Sequence, residues 1–120
     1  MRYLCIFKTA ADENVPAAQE ETAKMGALIQ EMASKGLLVA TEGCQPSAKG
    51  MRIRQENGTV TVTDGPFTEA KEILAGFAMF DVKSKSEMVE LTRRFLSIAG
   101  DGEVEVRLLH EAPALAKTGS

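Results

Sequence analysis

One histidine, His110, and two cysteines, Cys5 and Cys44, are all the imidazole and thiol groups the chain offers to a metal. A structural zinc site draws its ligands from such residues, and no spacing joins Cys44 to His110, so no metal and no cofactor is expected. Two cysteines make no disulfide framework; both read as reduced thiols, with the cytoplasm as the expected compartment. Basic residues are outnumbered, 14 Lys and Arg against 17 Asp and Glu, for a formal net charge of -3. The basic footprint that a phosphate backbone demands is missing, so no nucleic acid is expected. No apolar run approaches the length of a bilayer span, so no membrane is expected either. The apolar start, Tyr3 to Phe7, is too short for a signal peptide and lacks a small-residue cleavage site. Gly43 and Gly50 fit neither phosphate-binding glycine fingerprint.

What remains is an ordinary globular composition: 120 residues, 44% of them apolar and 26% charged. That length supports one core and not two. A single domain over residues 1–111 is expected, followed by a flexible tail over 112–120.

The residue pattern alternates strand and helix. Arg2 to Lys8 reads as a strand with apolar side chains on both faces, Tyr3, Cys5 and Phe7 on one and Leu4 and Ile6 on the other. A helix is expected to begin near Asn14 or Val15, with Pro16 in its first turn, and to end at Gly36. Ala18, Met25, Leu28, Ile29 and Met32 form its apolar stripe. Leu37 to Ala40 reads as a short strand. Asn57-Gly58, between the alternating runs Met51 to Glu56 and Thr59 to Thr63, is a hairpin signal. Asp64-Gly65-Pro66 breaks the second run, and Thr68 to Lys71 has room for one helical turn. Leu74 to Val82 is another strand. Ser84 and Glu87 then make a capping box for a helix whose stripe is Met88, Leu91, Phe95 and Ile98, ended by Gly100. Glu103 to Leu109 is the last strand. Met25, Met32, Met79 and Met88 fit core periodicity rather than a binding surface.

This order is the split βαβ plan with an added hairpin. The predicted fold class is α+β, a ferredoxin-like antiparallel sheet with two helices on one face. Nothing is left over for the other face, which carries Leu4, Ile6, Phe77 and Met79 or their neighbours. An uncovered apolar face predicts a partner surface, and two copies stacked sheet to sheet as a homodimer satisfy it.

Thr63 to Glu72 is the chemically densest stretch. A two-residue loop at Asn57-Gly58 sets Glu56 opposite Thr59, Arg54 opposite Thr61 and Arg52 opposite Thr63. Arg52 and Arg54 then share a polar face, and Asp64 joins Ile53, Val60 and Val62 on the face that should be covered. Two readings stand for Asp64. Its carboxylate either bonds the N–H groups of the turn that follows, as Asp does ahead of Gly-Pro, or serves as a general base or ligand anchor in a pocket beside the sheet. Lys71 is the candidate partner for Asp64, Glu69 or Glu72. Arg52 is a candidate for an anionic ligand. Phe67 reads as a core or interface plug. Glu42 is a candidate second carboxylate.

The run Asp64-Gly65-Pro66-Phe67-Thr68-Glu69-Ala70-Lys71-Glu72 resembles the signature of the DGPF-domain proteins of the YCII-related family. The likeness extends to Met1-Arg2-Tyr3-Leu4, Gly36-Leu37-Leu38-Val39, Glu42-Gly43-Cys44-Gln45-Pro46, Gly76-Phe77 and Glu103 to Arg107. The resemblance implies a bacterial cytoplasmic homodimer of the dimeric α+β barrel type. It also implies a biochemical role that is largely unestablished and a link to extracytoplasmic-function sigma factors. Some relatives act on small molecules, among them a dehydrochlorinase, and a histidine–aspartate pair has been proposed as the active site in that branch. The helix-borne histidine of that pair is absent here, since His110 is the only histidine. By place in the motif, Asp64 and Lys71 are the candidate catalytic residues. Arg52, Phe67, Glu69, Glu72 and Glu42 are candidates for binding a small-molecule ligand, in a lyase- or isomerase-type enzyme or in a ligand-binding accessory protein without catalysis.

Overall fold

The computed structural model describes residues 1–111; the expected tail lies outside the described residues. Six strands and two α-helices follow the predicted order: β1 Arg2–Thr9, α1 Gln19–Ser34, β2 Leu38–Gly43, β3 Met51–Glu56, β4 Thr59–Asp64, β5 Ile73–Asp81, α2 Lys85–Ala99 and β6 Glu103–Leu108. A short 3-10 turn, Ser47–Lys49, precedes β3. The main sheet has the order β2-β5-β1-β6, and every neighbouring pair is antiparallel. With the β3–β4 arm set aside, this is the ferredoxin-like order.

Both helices pack on one face. Tyr3, Cys5 and Phe80 from the sheet form one buried cluster with Leu28 and Met32 of α1 and Met88 and Leu91 of α2. The alternation of the strands sends Leu4, Ile6, Phe77 and Met79 to the opposite face, where Leu4 pairs with Met79 and Ile6 with Phe77. Neither helix is available to that face, and Phe77 is 36% exposed. Met79, placed with the core methionines by its spacing, therefore belongs to the open face. Met25, Met32 and Met88 do belong to the helix-covered core.

Local chemistry explains the helix ends. Ser84 caps α2: its hydroxyl accepts the Glu87 N–H at 3.1 Å, while Glu87 accepts the Lys83 N–H at 2.9 Å. At the end of α1, the Leu37 N–H reaches Met32 O and the Gly36 N–H reaches Ala33 O, a Schellman closure. The start of α1 differs from expectation. It begins at Gln19 with no side-chain cap, so Pro16 lies outside it. The segment before it is held otherwise: the Asp12 side chain accepts the Asn14 N–H at 2.9 Å, and its backbone carbonyl accepts that of Val15 at 3.2 Å. Helices α1 and α2 are tied by a forked ion pair, with Arg94 donating to the two oxygens of Glu31 at 2.6 and 2.8 Å.

No helix of the described residues is long and apolar enough to cross a membrane.

Candidate functional site at the base of the arm

The arm is a two-residue hairpin. Asn57 and Gly58 have φ of 51° and 80°, the left-handed pair that such a tight turn requires. The register is the predicted one: Glu56 opposite Thr59, Arg54 opposite Thr61 and Arg52 opposite Thr63. Arg52, Arg54 and the threonines share one face; Met51, Ile53, Val60, Val62 and Asp64 share the other. The face expected to be covered is bare, since all residues of both strands are exposed. Among the described residues no other segment folds over the arm, which is why a carboxylate and four apolar side chains stand together in solvent.

The arm's base is fixed by a latch that the sequence does not announce. Ser47, buried to 8% exposure, donates from its backbone N–H and its hydroxyl to the two oxygens of Glu13, at 2.7 and 2.6 Å. The same hydroxyl accepts the Phe67 N–H at 3.1 Å. The Gly65 N–H donates to Gly50 O at 3.0 Å. A Cβ on Gly65 would lie 1.7 Å from the Ser47 carbonyl oxygen, so only glycine fits. The Gly65–Pro66 peptide is cis. Thus Gly65, Pro66 and Phe67 clip the strand end to the 3-10 turn, and Glu13 clips that turn to the segment ahead of α1. The partner of Ser47 lies 34 residues away in the chain, beyond the reach of any local pattern.

Arg52 lies over the Phe67 ring, 3.9 Å from its centroid, and also pairs with Glu69. That hydrogen bond holds the Glu69 carboxyl below its ordinary range. Phe67 is therefore a half-buried platform for Arg52 rather than a core plug. Thr68 to Lys71 does not form the expected helical turn; Phe67 to Ala70 makes a single turn instead, closed by Ala70 N–H to Phe67 O at 3.2 Å.

Asp64 ends β4 opposite Met51. Among the described residues its side chain has no hydrogen-bond or ion-pair partner, and the same holds for Lys71 and Glu72. The carboxylate of Asp64 does not bond the N–H groups of its own turn, and it lines neither the pocket between the helices and the sheet nor the one beside Tyr3, Met88 and Val106. Glu42 belongs to the main sheet, opposite Phe77 on β2. The arm base thus brings together Arg52, Phe67 and Glu69, with Asp64 on the arm's other face; Glu42 stands in a different sheet. His110 is exposed beyond the end of β6, its carbonyl accepting from Arg2 at 3.1 Å. No cluster of three or more His, Cys, Asp or Glu suited to a metal exists among the described residues.

The family model for the YCII-related domain matches residues 1–112. An uncharacterized protein of Rhizobium meliloti is 31% identical over 115 residues, with 90% of each chain covered. Among solved structures, the divalent cation tolerance protein of Thermus thermophilus aligns over 98% of this chain and 93% of its own, at 9% identity and a TM-score of 0.44.

Proposed function

The chain belongs to the YCII-related domain family, and from that premise we propose that it works as a homodimer acting on a small molecule, with Asp64 as the acid–base group. The observation that carries this reading is the position of Asp64: a carboxylate without a partner among the described residues, on the apolar face of an uncovered arm, beside Met51 and Val62. A second chain laid over that face removes water from the carboxylate. A carboxylate enclosed in this way, with no donor of its own among the described residues, is placed to accept a proton from a bound substrate, as a general base does. The open sheet face supplies a second reason for pairing, since Leu4, Ile6, Phe77 and Met79 then lose their contact with water. Proton abstraction by Asp64 fits a lyase- or isomerase-type reaction, with Lys71 as the cation nearby in sequence. Two free thiols, Cys5 and Cys44, fit a cytoplasmic setting.

A second reading, ligand binding or regulatory contact without chemistry, is favoured by one feature. Arg52, the cation at the base of the arm, is already committed to Glu69 and Phe67 and lies on the face away from Asp64.

The two readings separate on Asp64→Asn. The catalytic reading predicts that the variant keeps the dimer and the unfolding midpoint while losing turnover of small carbonyl compounds that carry an acidic C–H. Turnover equal to that of the unaltered protein contradicts it.

A further inference from the structure

Away from the arm, the core between the helices and the sheet is incompletely filled. A cavity of about 200 Å³ lies there. Phe7 and Ala78 line it from the sheet, and Met25, Ile29 and Phe95 line it from the helices. Phe95 meets Phe7 edge-on, with ring centroids 5.1 Å apart, so one wall is aromatic. The opening follows from register. Phe7 faces Gly76 and Cys5 faces Ala78 across β1 and β5, so two inward positions of β1 stand beside two small ones.

The polar groups of the lining are few and mostly engaged. Thr41 donates its hydroxyl to Phe77 O at 2.9 Å, and Thr92 donates its own to Met88 O at 2.9 Å. The Cys5 thiol faces the Met88 sulfur at 4.0 Å. Glu42 is the one charged residue of the lining, and it belongs to the exposed end of β2. The pocket is partly open to solvent, but its mostly apolar walls offer a water few of the two to four polar partners it needs, so an apolar guest can displace the water there. An ionised guest finds no counter-charge inside, and an anion would also meet the Glu42 carboxylate.

We infer that this cavity is a binding site for a neutral, single-ring aromatic molecule of toluene or phenol size. The site is separate from Asp64 and does not depend on the reading given to it. Recognition rests on fit among Phe7, Ile29 and Phe95, with a hydroxyl on the ring able to donate to the free lone pairs of Thr41 or Thr92.

The test uses the full chain with toluene, phenol and benzoate as probes. Toluene and phenol are expected to raise the melting temperature progressively with their concentration, and benzoate is not. Magnetisation transfer from the toluene protons is expected at the Met25 and Ile29 methyl groups. Filling the space by Ala78→Leu, or by Ile29→Phe should the first fail to fold, is expected to weaken toluene binding by about ten-fold or more. Asp64→Asn leaves it unchanged. Absence of a shift with toluene, transfer to other methyl groups instead, equal binding in a filled variant, or an equal response to benzoate overturns the inference.

Discussion

Gly65 lies so close to Ser47 that an added Cβ would stand 1.7 Å from the Ser47 carbonyl oxygen and 2.6 Å from its carbon. Both atoms are backbone, so neither swings aside. Gly65→Ala must displace the 3-10 turn or the end of β4. The expected loss of stability is about 3 kcal/mol, toward the upper end for overpacking. It is read by urea denaturation, and proteolysis near Ser47 should rise with it.

Glu13 and Ser47 form the other half of that latch. Ser47→Ala leaves the Phe67 N–H and one Glu13 oxygen without their partner, at a cost of about 1–3 kcal/mol. Glu13→Gln in the same background should add little beyond the single change. A double-mutant cycle is therefore expected to give a coupling of about 1 kcal/mol or more. Additive effects would show that the latch is not one unit.

The Glu31–Arg94 fork gives stability a dependence on pH. The hydrogen bond from Arg94, followed by that from Lys35, holds the Glu31 carboxyl down to about 2 against an ordinary 4.5. A depressed carboxyl contributes fully above its unfolded value, and the contribution is lost as pH falls from about 4.5 through about 2. Solvent screens it, since Glu31 is 37% exposed. Glu31→Gln should flatten the acid limb of the stability curve between those values and leave its shape near neutrality alone. Added salt should reduce the difference between the two proteins.

The two cysteines should separate in reactivity. Burial pushes the Cys5 thiol up to about 11, whereas Cys44 is exposed. In the native protein a thiol reagent at mildly alkaline pH should modify Cys44 quickly and Cys5 only on unfolding. Cys44→Ser should then abolish the fast phase. Two fast thiols in the native state would contradict the packing of Cys5 against Met88.

Those features rest on interactions of very different range, and range decides what can be read from the sequence. The arm's register is legible because Asn57-Gly58 admits one tight loop, and the loop fixes every opposite pair. The start of α2 is legible because Ser84 and Glu87 satisfy each other's turn locally. The sheet order follows from two helical and several alternating segments in one sequence. The start of α1 is not, because Pro16 offers a helix start while Asp12 and the distant Ser47 hold the preceding segment in another shape. The hairpin register sets Asp64 on the correct face of the arm, but that face lies bare, and whether a face is covered depends on tertiary placement. Ser47 carries no signal at all: a serine after Pro46 reads as loop, and its burial depends on Glu13.

The central claim is that the bare faces of the main sheet and the arm are covered by a second copy of the chain. Sedimentation equilibrium at micromolar concentration tests it most directly. The account predicts a single species of twice the chain mass, converted to monomer by a charge placed in the open face, Phe77→Glu. A monomer at every concentration up to the millimolar range would contradict it.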